Sequence, residues 1–162
     1  KKNNKKMTFS HLKKNKVSMV DISKKKLTSR TARAFCKINF SEKTFKKIIA
    51  NNSPKGEIFN TARSAGISAA KKTPELIPLC HNLPISYIDI DFKIDKKNLS
   101  IQILTEVKTQ FSTGVEMEAL TACSVAGLVI YDMCKSLDKK IIMTELKLLF
   151  KKGGKSGTFK ND

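Results

Sequence analysis

Residues 113–135, TGVEMEALTACSVAGLVIYDMCK, form the stretch of sequence that decides the fold of this chain. Apolar residues lie on every side of a helix drawn through them, and a helix without a polar face is buried against its own fold or against a partner. Thr113 and Glu116 match the capping box, in which two side chains satisfy otherwise unpaired backbone N–H groups. The stretch therefore predicts a buried helix that begins at Thr113.

Small and charged residues within this helix indicate that it packs in a protein core. Ala119, Cys123 and Gly127 recur every four residues, so they form a row of small side chains where another backbone can approach closely. The length is close to that of a membrane span, but Glu118 and Asp132 lie inside the run, and charged side chains are costly in lipid. We therefore predict a core helix and not a transmembrane one.

The charged residues of the helix fall at its two ends. Glu116 and Glu118 are in the first turn, whereas Asp132 and Lys135 are in the last turn and share one face. Two interpretations of the second pair remain open: an ion pair at a helix end, or an acid–base pair beside an apolar wall. Glu118 and Asp132 are about 21 Å apart at the helical rise. A site that uses both ends would therefore be built from two subunits.

The composition indicates one domain with an anionic partner. The chain has 162 residues and a net charge of +18, from 32 Lys and Arg against 14 Asp and Glu. One domain with a hydrophobic core fits this length. The charge predicts a nucleic acid, a nucleotide, a phosphorylated metabolite or an acidic surface as partner, although part of the Lys excess fits the bias of an AT-rich genome.

The cysteines indicate a reducing compartment. Cys36, Cys80, Cys123 and Cys134 show no C-x-x-C spacing and no density typical of a secreted scaffold. We therefore expect reduced thiols and a cytoplasmic location. The sequence shows no signal peptide or transmembrane run, and an organellar location with a removed targeting segment stays open.

Hydrophobic periodicity predicts an alternation of strands and helices between a basic arm and a basic tail. In chain order the elements are a strand at 33–40, helices at 41–52 and 57–72, a hairpin of strands at 87–94 and 99–111, the helix at 113–135 and a strand at 140–150. Without one helix the order is βαββαβ. It predicts an α+β fold of the ferredoxin-like class, an antiparallel sheet with helices packed on one face. We divide the chain into a mobile basic arm (1–16), a single folded domain (17–152) and a flexible glycine-rich basic tail (153–162).

Two loops carry further candidate groups. Prolines fix the backbone of residues 77–84, IPLCHNLP, which holds Cys80 and His81. No second ligand pair stands at zinc spacing, so we expect no metal site. Lys55 lies in a Pro-Lys-Gly loop, where it is either a surface lysine or a cation that contacts phosphate or donates a proton.

The glycine-rich run at 153–156 resembles the end of a P-loop, but Leu149 stands where that motif needs Gly. It is either a phosphate clamp made of free N–H groups and lysines or a disordered basic tail. Arg30, Arg33 and Arg63 are further candidates for anion contacts. Together these groups predict a small anionic ligand held by cations, with carboxylate, lysine and histidine side chains for proton transfer.

Several long motifs resemble one family. MVDIS at 19–23, KGEIFNTARSAGISAAKKTPELIPLCH at 55–81, the helix at 113–135 and KKGGKSG at 151–157 are similar to molybdenum cofactor biosynthesis protein C, the cyclic pyranopterin monophosphate synthase family. The resemblance implies a ferredoxin-like fold and a homohexamer, built as a trimer of dimers with the site at the dimer interface. Residues 17–152 are then the catalytic domain.

The resemblance also implies an activity and a set of site residues. Family members convert 3′,8-cyclo-7,8-dihydro-GTP to cyclic pyranopterin monophosphate and release pyrophosphate, as phosphorus–oxygen lyases that require no cofactor and use Mg²⁺ at most as an aid. Carried over to this chain, the catalytic residues are Asp132, Lys135 and Lys55. The substrate-binding residues are Leu79, Cys80, His81, Met117, Glu118, Glu116, Arg30, Lys151 and Lys155.

Two other classes of function remain open from the residues alone. A basic nucleic-acid-binding module fits the charge and the fold, but the sequence lacks the aromatic strand motif with which ferredoxin-like RNA-recognition domains stack bases. A structural assembly protein would use the apolar helix as an interface, and the expected burial of Glu118 and Asp132 argues against it. We expect no nucleic-acid and no membrane partner.

Overall fold

The computed structural model describes residues 9–13, 16–51 and 56–161, so Lys55 and most of the predicted arm lie outside the described residues. The strands of the main sheet are β3 Thr28–Asn39, β4 Tyr87–Asp95, β5 Ser100–Phe111, β6 Ile142–Lys152 and β7 Phe159–Lys160. They form a five-stranded sheet in the order β4-β5-β3-β6-β7, with antiparallel neighbours throughout. A separate hairpin pairs β1 Leu12–Lys13 with β2 Lys16–Val17.

The helices cover one face of this sheet. Within the described residues they are α1 Glu42–Asn51, α2 Glu57–Lys71, α3 Thr73–Leu76 and α4 Glu116–Cys134. Helices α2 and α4 pack against each other and against the sheet. The connectivity and strand order are those of a ferredoxin-like α+β fold with an extra helix, so the predicted fold class is confirmed.

Strand β3 lies at the centre of the sheet, between β5 and β6, and its small buried residues alternate with polar ones. Ala32, Ala34, Cys36 and Ile38 are fully buried on its inner face. The strand pairs with β5 over its whole length, from Thr28 to Asn39. It is therefore longer than predicted at its start, because the ladder to β5 continues beyond the strongly alternating residues.

Helix α4 is the core helix that the sequence predicts. Ala119, Cys123 and Ile130 are fully buried, and half of its most apolar window is buried within the fold. The row of small residues faces β5: Thr105 Oγ1 donates a hydrogen bond to the Ala119 carbonyl at 2.8 Å, and Cys123 Sγ lies 3.7 Å from the Ile103 carbonyl oxygen. Although α4 has the length and composition of a membrane span, its buried residues hold it in the core.

A glycine on α2 determines how closely that helix approaches α4. A Cβ atom on Gly66 would lie 2.8 Å from the Ala122 carbonyl oxygen and 2.5 Å from Ile90 Cδ1. These distances are well inside van der Waals contact, so a larger residue would force the two helices apart. Gly66 therefore has a packing role between the two helices.

The predicted starts of α1 and α4 have different outcomes. Ser41 Oγ accepts a hydrogen bond from the Thr44 backbone N–H at 3.4 Å, which confirms the predicted start of α1. The capping box predicted at Thr113 is wrong: α4 begins at Glu116, and no side chain caps its N-terminus. The Glu116 carboxylate points instead towards Lys151 on β6, 3.7 Å away. A Cβ atom on Gly114 would overlap this carboxylate, so it lies against Gly114 as well as near Lys151.

Candidate active site

A cavity of about 970 Å³ lies where α4 begins. Its walls come from the segment before β3, the loop at 77–84, the first turn of α4 and the loop after β6. All of the predicted substrate-binding residues line it: Leu79, Cys80, His81, Met117, Glu118, Glu116, Arg30, Lys151 and Lys155. The fold therefore brings together residues that lie far apart in the sequence.

One part of the lining is strongly basic. Arg30 comes from β3, Lys151 from β6 and Lys155 from the loop that follows β6. The run Lys24-Lys25-Lys26 lines the same cavity, and the sequence analysis missed it, although a cationic run directly before Arg30 was visible as a signal. Six cations around one concave space create a strongly positive potential that favours an anionic ligand.

The position of Arg30 depends on two glycines. Gly153 and Gly154 have φ angles of +104° and +76°, a region that favours glycine. A Cβ atom on Gly154 would overlap the Arg30 guanidinium, so the glycines make the space that this side chain occupies. Arg30 Nη2 donates a hydrogen bond to the Ser112 carbonyl at 3.4 Å. The predicted phosphate loop thus has a second role as a support for an arginine.

Two buried polar atoms on this wall have no partner within the described residues. They are Arg30 Nε and Thr28 Oγ1. Buried polar atoms are nearly always hydrogen-bonded, so an unpaired donor beside a cavity indicates a position for a ligand or a water. Thr28 lines the cavity with Arg30, two residues along the same strand. The sequence analysis did not single out this threonine.

Glu118 provides a titratable group near neutral pH. Its side chain is buried, with 3% of the residue exposed. Burial raises the pKa of Glu118 to about 7, and the charge of Glu116 contributes a smaller increase, while a hydrogen bond to its own backbone N–H acts in the opposite direction. A carboxyl group with this pKa can both donate and accept protons under physiological conditions.

The Cys80-His81 pair lies on the loop at 77–84, which also lines the cavity. His81 Nε2 is 2.8 Å from the Val20 carbonyl oxygen. Because a carbonyl only accepts, Nε2 carries the proton and the neutral ring keeps an unprotonated Nδ1. Burial raises the pKa of the Cys80 thiol, and the charge of Glu118 raises it further. No cluster of three or more metal-ligating residues occurs in the described parts of the chain.

The other predicted catalytic residues lie away from the cavity. Lys135 Nζ and Asp132 Oδ1 form an ion pair of 2.5 Å, and their side chains are 53% and 69% exposed. The hydrogen bond to Asp132 raises the pKa of Lys135. The expected burial of Asp132 is therefore wrong, because the last turn of α4 turns this side chain to the surface. Lys55 lies outside the described residues.

Two of the candidate anion-binding arginines have structural partners instead. Arg33 pairs with Glu106 on the uncovered face of the sheet and lies over the Phe150 ring. Arg63 donates a hydrogen bond to the Ile90 carbonyl at 3.0 Å. Neither residue lines the cavity, so of the three candidate arginines only Arg30 does.

Comparison with known proteins identifies relatives along nearly the whole chain. The model of the MoaC family matches residues 19–154. A cyclic pyranopterin monophosphate synthase of Desulfatibacillum aliphaticivorans is 50% identical over 155 residues, which cover 95% of this chain and 98% of the relative. One from Bordetella parapertussis is 46% identical over 156 residues, covering 96% and 97% respectively. The family match contains all of the cavity residues named above except Lys155.

Proposed function

Because this chain belongs to the MoaC family, we propose that it acts as a cyclic pyranopterin monophosphate synthase in molybdenum cofactor biosynthesis. The proposed substrate is 3′,8-cyclo-7,8-dihydro-GTP, and the proposed products are cyclic pyranopterin monophosphate and pyrophosphate. The observation that carries the proposal is the cavity itself. It combines a basic wall suited to phosphates with a buried carboxyl group suited to proton transfer.

The basic wall suits the phosphate part of the reaction. A hydroxyl group attacks the α-phosphorus to close the cyclic phosphate, and pyrophosphate leaves with additional negative charge. Arg30, Lys151 and Lys155 line the cavity and would neutralise this charge as it develops. The proposal therefore requires no cofactor, and Mg²⁺ would act only as an aid.

Another part of the cavity lining suits the rearrangement of the ring. Opening the purine-derived ring and closing the pterin require protons to move in both directions. Glu118, with a pKa of about 7, exchanges protons readily at neutral pH. His81 directs Nδ1 away from the bond that its Nε2–H donates to the Val20 carbonyl, so in the neutral ring Nδ1 can accept a proton. Both groups are on the cavity wall, where a ring system would lie against Leu79 and Met117.

Asp132 and Lys135 enter the proposal through a second copy of the chain. They follow Glu118 by about 21 Å along one helix, which is too far for one small substrate to contact both ends. Large apolar side chains are exposed in this region, with Leu128 at 57% and Ile142 at 60%. Exposed apolar surface of this kind is typical of an interface. We place the ion pair of one subunit at the cavity of its neighbour, within a homohexamer in the cytoplasm.

The direct test is single-turnover release of pyrophosphate from the cyclised dihydro-GTP by the purified protein. Lys135→Ala should lose at least about 100-fold in rate, the usual scale for a group that transfers a proton, while its oligomeric state is unchanged. Lys55→Ala, measured beside it, tests the catalytic lysine that the described residues do not include. An inactive wild-type hexamer would contradict the proposed function.

A mixing experiment tests the shared site. Glu118→Gln and Lys135→Ala each inactivate every site of their own homo-oligomer. When the two variants are refolded together, random pairing in two-fold dimers leaves one intact site in half of the dimers. The mixture should then recover about one quarter of the wild-type rate. No recovery in verified mixed oligomers would contradict a site built from two subunits.

A nucleic-acid-binding module is the second candidate, and the family match does not favour it. The uncovered sheet face carries Asp89, Asp91 and Glu106 together with Arg33, Lys93 and Lys108. Ferredoxin-like RNA-binding domains bind bases on that face. Salt-dependent binding of arbitrary RNA, without nucleotide turnover, would favour this alternative.

A further inference from the structure

We propose that the segment before β3 is a lid of the cavity and that it carries a further substrate-binding residue, His11. We call residues 9–13 and 16–26 the N-terminal lid. The identity of the ligand rests on the proposed function, whereas the lid itself rests on contacts within the chain.

The N-terminal lid lines the cavity at three places along its length. Ser10 and His11 line the cavity near the start of the lid, Val20 lines it in the middle, and the lysine run at 24–26 lines it at the end. The chain then continues directly into β3, where Thr28 and Arg30 also line the cavity. A ligand that fills this space would therefore contact the lid near its start, at Val20 and at its end.

Two histidines hold the lid in place. His11 forms hydrogen bonds within the lid, and His81 joins the lid to the loop at 77–84. His81 donates its Nε2 hydrogen to the Val20 carbonyl at 2.8 Å, across a separation of 61 residues. Within the lid, the His11 carbonyl accepts a hydrogen bond from the Ser18 N–H at 3.0 Å, and the His11 ring Nδ1 is 3.3 Å from the Ser18 carbonyl oxygen. These hydrogen bonds join the start of the lid to Ser18 and the middle of the lid to His81.

The contact between His11 Nδ1 and the Ser18 carbonyl oxygen determines which ring nitrogen is available to a ligand. The Ser18 carbonyl can only accept, so Nδ1 carries a proton and Nε2 is the free nitrogen. Among the described residues, no hydrogen bond engages Nε2. Because His11 lines the cavity, this nitrogen is available to bind a ligand, as an acceptor when the ring is neutral and as a charged donor when it is protonated.

The outer side of the lid is loosely packed, which suits a segment that opens. Phe9 is 80% exposed, Val17 is 69% exposed and Leu12 is 49% exposed. Segments with few buried apolar contacts open at low free-energy cost. A substrate therefore enters when the lid opens, and the His81–Val20 contact re-forms over it.

Cys80 reports on the lid independently of catalysis. It lines the cavity and is partly exposed, whereas Cys36, Cys123 and Cys134 are buried. The rate at which iodoacetamide alkylates Cys80, followed by mass spectrometry of its peptide, therefore measures access to the cavity. GTP is a purine triphosphate that does not react here. When it binds to the wild-type protein, whose lid is closed, it should slow the alkylation of Cys80.

Two substitutions separate closure of the lid from ligand binding. His11→Ala removes both ring nitrogens, so it should raise the Cys80 alkylation rate at least about threefold and raise KM about tenfold, the usual loss for one hydrogen bond to a charged group. His11→Asn keeps an N–H where Nδ1 donates to Ser18 and lacks the second nitrogen. It should keep the slow alkylation rate and still raise KM. Lys16→Ala, on an exposed residue of the same hairpin, is the matched control and should change neither quantity.

The outcomes distinguish this inference from the proposed function. A wild-type protein that releases no pyrophosphate contradicts the proposed function, and the alkylation rates then test the lid alone. If the wild type is active and His11→Ala has the wild-type KM, His11 does not bind substrate. If His11→Ala also has the wild-type alkylation rate, the segment is not a lid.

Discussion

Replacing Glu118 by glutamine should stabilise this protein at alkaline pH while removing its activity. The carboxyl group is buried beside the cavity, and its pKa is raised from 4.5 to about 7. Below pH 4.5 it is protonated in both the folded and the unfolded chain. Between pH 4.5 and 7 only the unfolded chain loses the proton, so the free energy of unfolding falls as pH rises through this window.

The size of the effect follows from the pKa difference. At about 1.4 kcal/mol per pKa unit, the folded protein carries a cost of about 3 kcal/mol once the carboxyl group is ionised. Glutamine is never ionised, so the free energy of unfolding of Glu118→Gln, relative to the wild type, should increase by about 2 to 3 kcal/mol between pH 5 and pH 8. Turnover should fall by about 100-fold or more, because the amide cannot exchange a proton.

The assay is urea unfolding of both proteins at one protein concentration and a series of pH values, followed by circular dichroism. Glu42→Gln is the control, because Glu42 is exposed and pairs with Lys46 at 2.6 Å. It should show no gain in stability at pH 8. If the stability difference between Glu118→Gln and the wild type were the same at pH 5 and pH 8, the argument from burial would be refuted.

Three further measurements test the packing and the charge of the site. Gly66→Ala should lower the free energy of unfolding by about 1 to 3 kcal/mol, because its Cβ meets the Ala122 carbonyl oxygen at 2.8 Å; a urea midpoint equal to that of the wild type would contradict this close approach. Gly154→Ala should displace the Arg30 guanidinium and raise KM about tenfold with little change in kcat, and an unchanged KM would argue against a binding role for that arginine. Raising the salt concentration should lower kcat/KM through KM, because the basic wall attracts an anionic substrate; salt-independent kinetics would exclude this attraction.

Local patterns predicted the elements of the fold well. Alternation in β3 and in the β4–β5 hairpin, and the apolar run in α4, each reflect which side of one element is buried. The start of α1 was predicted correctly because Ser41 caps its own helix. The predicted start of α4 was wrong: the helix begins at Glu116, and the carboxylate of this residue lies 3.7 Å from Lys151, on a strand that follows later in the chain. A rule based on neighbouring residues contains no information about such a contact.

The candidate site shows the same difference between what the sequence predicts and what the fold determines. The sequence motifs selected the residues that line the cavity, but their environment depends on the folded chain. The periodicity alone does not distinguish Glu118 from Asp132, because both are charged residues on one apolar helix. In the fold one is buried with a pKa of about 7 and the other is 69% exposed in an ion pair. The difference arises because only the first turn of α4 lies under the cavity walls.

The amino-acid sequence by itself determined the order and type of the elements, the anionic character of the ligand and the family, because periodicity, charge and motifs are properties of neighbouring residues. The tertiary structure alone decided that the segment before β3 crosses the cavity. That arrangement depends on a hydrogen bond between His81 and Val20, 61 residues apart in the chain. Contacts at this separation exist only after folding, which is why His11 had no visible role in the sequence and acquires one at the cavity wall.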